Sequence, residues 1–124
     1  MEKKRKKILT GFFVILMICA FAVPAFSQVT VNNFSGTSWT ITDQSGTSII
    51  KFGNGSFTFF VNGEEILSGE TQVTENTVQL MYVVSGIRIL FGACRFDENI
   101  MNVWIASDDG NVYLGNEPFK FTKL

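Results

Sequence analysis

The sequence predicts an all-β fold, an antiparallel up-and-down meander of eight to nine strands, on three observations. Short β-branched and aromatic runs recur from Gly36 to the end of the chain, clusters of Gly, Asn, Asp and Ser separate them, and no apolar 3.6-residue period lasts long enough to nucleate a helix. Consecutive short turns make neighbouring strands antiparallel. So many meandering strands accumulate twist and expose edges, so closure into a small barrel is expected. A β-sandwich is the alternative, and the lack of long Greek-key connections argues against it.

Ahead of the meander stands a leader over residues 1–27. Lys3, Lys4, Arg5, Lys6 and Lys7 precede an apolar run over 8–23, whose uninterrupted part, 12–23, is shorter than the ~20 residues of a spanning helix. Pro24 then breaks the run before Ala25-Phe26-Ser27, where small residues stand at the positions a signal peptidase reads. This pattern predicts a signal peptide cut before Gln28 and an exported, periplasmic or secreted, protein. Retention as an N-terminal anchor is the alternative. Without the leader, five basic residues face ten acids, a formal charge of −5. An acidic surface repels phosphate backbones, so nucleic acid is not an expected partner, and residues 28–124 contain no apolar run that would span a membrane.

The expected strands cover residues 37–42, 48–52, 56–61, 66–73, 77–84, 87–96, 100–106, 111–114 and 119–123, in a single domain over 28–124. Alternation assigns their faces. Trp39 and Ile41 share one side, as do Ile50 and Phe52, then Phe57, Phe59 and Val61, then Val78, Leu80, Tyr82 and Val84, and finally Phe119 and Phe121. In the sixth run Ile87, Ile89 and Phe91 occupy odd positions but Cys94 and Phe96 even ones, which a β-bulge at Gly92-Ala93 would reconcile. Cys94 would then be a packed inward thiol rather than a reactive surface one. The seventh run is ambiguous: either Ile100, Trp104 and Ala106 face inward, or Met101, Val103 and Ile105 do.

One family resemblance follows from these runs. The opening Phe34-Ser35-Gly36-Thr37-Ser38-Trp39 resembles the Gly-x-Trp entry of lipocalins and other calycins, with one residue inserted before the tryptophan. The succession Ile49-Ile50-Lys51-Phe52, a Gly-Asn-Gly turn, Ser56-Phe57-Thr58-Phe59 and Ser68-Gly69-Glu70-Thr71 is similar to small bacterial lipocalin-like domains, as is the basic Phe119-Lys120-Phe121-Thr122-Lys123 ending. The resemblance implies a closed barrel that binds a small hydrophobic ligand. Val73 and Gln72 stand where that family has an aromatic residue, and the chain is shorter than a full lipocalin.

Chemistry-bearing residues are sparse. Histidine is absent, which removes the commonest general base and neutral metal ligand, and past the leader Cys94 is the lone cysteine. The acidic pairs Glu64-Glu65, Asp97-Glu98 and Asp108-Asp109 fall in or beside turns, and Ser107-Asp108-Asp109-Gly110-Asn111 lacks the ligand spacing of a calcium loop. No catalytic residue, metal site or cofactor is therefore expected, and the chain reads as a binding module, not an enzyme. The residues expected around the interior, as core or as cavity wall, are Trp39, Phe57, Phe59, Tyr82, Phe96, Trp104 and Phe121. Outward Phe60, Met81 and Val83 form an alternative interaction surface for another exported protein, the function in that case being protein–protein contact around a filled barrel.

Overall fold

A computed structural model describes residues 28–124. The leader, and with it the expected cleavage, lies outside the described residues. Eight strands follow in order: β1 (Ser38–Asp43), β2 (Gly46–Phe52), β3 (Ser56–Val61), β4 (Glu64–Thr74), β5 (Thr77–Val84), β6 (Ile87–Asp97), β7 (Ile100–Ile105) and β8 (Phe119–Lys123). Each pairs antiparallel with the next and β8 returns to β1, so the meander closes into a barrel rather than a sandwich. Two of its turns, Asn62-Gly63 and Ser85-Gly86, place both central residues at positive φ, the hairpin geometry whose twist matches the flanking strands.

Two expectations about strands are corrected. Residues 111–114 form no strand, because β7 pairs directly with β8 and leaves them no ladder. Local bonds hold them instead, with Ser107 donating its N–H to the Asn111 carbonyl at 2.9 Å and Asp109 accepting from the Asn111 N–H at 3.0 Å and from the Tyr113 hydroxyl. The β6 bulge exists but sits one residue earlier than expected. Leu80 pairs with Gly92 and Met81 with Leu90, which leaves Phe91 as the extra residue and keeps Phe91, Cys94 and Phe96 against the core. A second bulge leaves Ile66 of β4 unopposed between the pairs Phe59↔Leu67 and Phe60↔Glu65.

The interior is filled by Trp39, Ile50, Phe57, Val78, Leu80, Cys94, Met101, Val103 and Phe121. Packing is close enough that strands touch: a Cβ on Gly69 would lie 1.9 Å from the Met81 carbonyl oxygen. Gly69 also faces the ring of Phe57, its ladder partner, so the missing side chain makes room for an aromatic one.

The two ends of the barrel are unlike. At the end holding the β2–β3, β4–β5 and β6–β7 turns, the segment before β1 folds back as a plug. Phe34 lies edge-on to Phe52 at 5.0 Å and stacked on Phe96 at 5.7 Å, with Trp39 beneath Phe96 at 5.4 Å. Gly36 donates to the Phe52 carbonyl and Phe52 to that of Thr37, both at 2.9 Å, so the plug continues the ladder. The Trp39 indole N–H reaches Thr37 Oγ1 at 2.8 Å, and that hydroxyl donates to the Phe34 carbonyl at 2.6 Å. At the other end nothing comparable covers the interior among the described residues. There the ladder between β1 and β8 also stops short: it comprises Trp39↔Lys123 and Thr40↔Thr122, although β1 runs on to Asp43 and β8 begins at Phe119.

Candidate functional site

The unsealed part of the β1–β8 seam opens on a cavity of about 170 Å³. One wall is Ile41, Ile50 and Phe59 from β1, β2 and β3; the other is Val103, Ile105, Phe119 and Phe121 from β7 and β8. All follow from alternation, since each is buried itself or shares a face with a buried residue of its own strand, and the ladder that would draw β1 and β8 together is missing at that point. Inward-facing residues that would be core at the plugged end are therefore wet here. Phe119 is 52% exposed and Ile105 42%, and across the mouth Val84 and its pair Ile87 are also exposed. A larger hollow of about 250 Å³ lies at the plugged end, against Val29, Val31, Asn76 and Phe96. It is the more open of the two and is bounded by the plug and by the β4–β5 and β6–β7 turns.

Two polar residues interrupt the apolar lining of the mouth cavity, Asp43 and Ser48. Asp43 ends β1 on the same face as Trp39 and Ile41; Ser48 pairs with Ile41 and so stands diagonally beside Asp43. The Ser45 N–H binds Asp43 Oδ1 at 2.7 Å, which fixes the carboxylate without neutralising it. Glu64 and Glu65 at the start of β4 and Asp108, Asp109 and Glu117 on the β7–β8 connection also stand at this end; of its basic residues, Arg88 is bound to Glu70, and Lys120, next to Phe119, points outward to the neutral Asn102 side chain. The mouth is thus apolar within and acidic around. Among the described residues no three His, Cys, Asp or Glu side chains gather as a metal site would need, and no helix is long and apolar enough to cross a membrane.

No family model, curated protein or solved structure matches this chain. Function has to be read from the site, because a barrel by itself serves many roles.

The residues expected around the interior divide into three groups. Trp39, Phe57 and Phe121 are buried in the core, and Phe59, Phe96 and Tyr82 are half-buried, with Phe59 and Phe96 packed against that core. Of all these, Phe59 and Phe121 line the mouth cavity. Trp104 is a correction: Met101 and Val103 are the fully buried residues of β7, so Trp104 faces outward. There its indole N–H donates to the Asn116 carbonyl at 2.9 Å, and the 106–118 connection shelters it. The seventh-run ambiguity is resolved by composition: outward Asn102 bonds Lys120 Nζ at 3.2 Å, a pairing that needs water nearby and would be costly inside.

Phe60, Met81 and Val83 do lie on the outer wall, but the barrel does not gather them into one stripe. Phe60 carries the Lys51 ammonium 5.1 Å from its ring centre and pairs with Glu65. Met81 and Val83 pair with Glu70 and Arg88, whose ion pair spans them. Cys94 is an unpaired, fully buried thiol between Val78 and Val103, and burial pushes its pKa up to about 12. Sequence reasoning missed Asp43 as a site residue by ending the first strand at Thr42. Its parity with Trp39 and Ile41 was the signal available.

Proposed function

We propose that this chain is an exported, lipocalin-like binding module whose open mouth takes a small apolar ligand. The observation that carries this reading is the 170 Å³ cavity at the unsealed seam, rimmed by exposed Ile105 and Phe119. Apolar side chains left wet around a concavity at a barrel mouth are the usual setting for a small-molecule site. The volume falls below that of drug-sized pockets and near the roughly 150 Å³ that admits a benzene-sized solute. The expected ligand group is one ring or a short branched chain, not a long lipid.

A benzene titration followed by methyl NMR tests the reading. Methyl signals of Ile41, Val103 and Ile105 are expected to shift in a saturable way, while those of Val29 and Val31 at the plugged end stay fixed. Ile105→Asp combined with Phe119→Asp, at positions already exposed, should abolish the shifts and leave the fold intact. Absence of saturable shifts at the mouth, or equal shifts at both ends, would overturn it. Native mass spectrometry of protein recovered from its own host would then identify what occupies the mouth.

A further inference from the structure

We infer that the ligand of this mouth is an amphipathic cation: a ring-sized apolar body carrying a protonated amine, which Asp43 receives. The inference rests on the mouth being a binding site and adds the chemistry of the head group. Asp43 is the one ionisable residue that lines the cavity, and it faces inward by strand parity. Its Oδ1 is occupied by the Ser45 N–H, and no other donor or cation of the described residues reaches the carboxylate. Ser48 supplies a hydroxyl on the same inner corner, while the opposite wall of Val103, Ile105 and Phe119 is apolar. A molecule bound across the cavity therefore meets hydrocarbon at one side and a carboxylate with a hydroxyl at the other. Such a few fixed polar groups orient a ligand in an otherwise apolar pocket.

The surrounding field favours the same sign. Glu64 and Glu65 at the start of β4 and Asp108, Asp109 and Glu117 on the β7–β8 connection stand at this end; against these five acids the Arg88 guanidinium is engaged by Glu70, and Lys120, on the outer face, is the remaining cation. Clefts lined by one sign of charge concentrate ligands of the other, so a fatty-acid-like carboxylate would be repelled from the place where an amine is held. Because Asp43 is exposed, the attraction is modest, worth a few-fold in affinity.

Benzylamine, benzyl alcohol and benzoate share one body and differ in head-group charge, and their affinities can be compared by methyl NMR at neutral pH on the full chain as processed by its own host. Benzylamine is expected to bind roughly three- to fivefold more tightly than benzyl alcohol, and benzoate more weakly than either. Asp43→Asn, which can keep the turn bond to Ser45, should remove the amine preference and leave benzyl alcohol affinity unchanged to within about twofold. Rising salt should narrow the amine–alcohol gap. If the alcohol binds but the amine binds no tighter, or if Asp43→Asn retains the preference, the head-group assignment is overturned and the apolar mouth survives. If none of the three binds, both fall together.

Discussion

The two ends of this barrel contain the same kind of residue in the same register and differ in what covers them. Phe34, at the plugged end, is 6% exposed among Phe52, Phe96 and Trp39; Phe119, at the open end, is 52% exposed beside Ile105. Alternation places an apolar side chain on the inner face of a strand, but burial needs a second surface to meet it. The segment before β1 supplies that surface at one end. At the other, the β1–β8 ladder stops two pairs in and the 106–118 connection shelters outward Trp104, so inward residues are left as a lining. Where cover is present the pattern makes core; where it is absent it leaves an apolar lining open to water.

The largest expected effect comes from truncating the two phenylalanines. Phe34→Ala should cost ~3–5 kcal/mol of unfolding free energy, the usual loss for a buried aromatic ring, since the plug is held by its contacts with Phe52 and Phe96. Phe119→Ala should cost under ~0.5 kcal/mol, as exposed substitutions do, while weakening the binding proposed for the mouth. Urea unfolding curves of both variants, read as midpoints at constant slope, make the comparison. Equal costs would mean that Phe119 is structural and would remove the distinction between the ends.

Cys94 sharpens the contrast in the next rank of effect. Its thiol is buried on the core face, and burial raises its folded pKa to about 12 from an ordinary 9.0. The folded state therefore holds this proton more tightly than the unfolded state. The contribution to stability is fully present below pH 9 and is lost as pH rises through the window from about 9 to about 12. Alkylation of native protein by iodoacetamide should accordingly be far slower than that of urea-unfolded protein. A cysteine at the open mouth, Ile87→Cys in a Cys94→Ala background, should react as an ordinary exposed thiol. Rapid native labelling of Cys94 would show that the plugged half opens on the timescale of the assay.

How far the sequence alone reaches depends on whether a feature is set by neighbours along the strand or by the meeting of distant ones. The meander, its hairpin turns, the inward face of Trp39, Phe57 and Phe121, and the burial of Cys94 are local alternation plus turn chemistry, and all are legible. The β6 bulge is legible as a parity conflict, though its position at Phe91 depends on the β5 register. Trp104 misleads because size and aromaticity suggest core, whereas the β6–β7 register sets Met101 opposite Phe96 and Val103 opposite Cys94, and so turns Trp104 out. The mouth cavity is the least legible feature. It exists because one ladder between the first and last strands ends early, a relation between residues at opposite ends of the domain that no pattern within either strand reports.

The smallest expected effect concerns the outer wall near the open end, where Arg88 of β6 reaches across β5 to Glu70 of β4. The pair could brace the open end as the plug braces the other. Its solvation says otherwise: the side chains are 59% and 56% exposed, so each charge keeps most of its water and gains little from its partner. A double-mutant cycle of Glu70→Gln and Arg88→Gln should give a coupling of under ~1 kcal/mol, falling further with added salt. The three strands would still be held by their ladders and by Tyr82, Ile89 and Leu67 on the inner side. A coupling well above that value would make the outer wall, not the interior, the element that shapes the open end, and the mouth would then depend on a surface ion pair that salt could loosen.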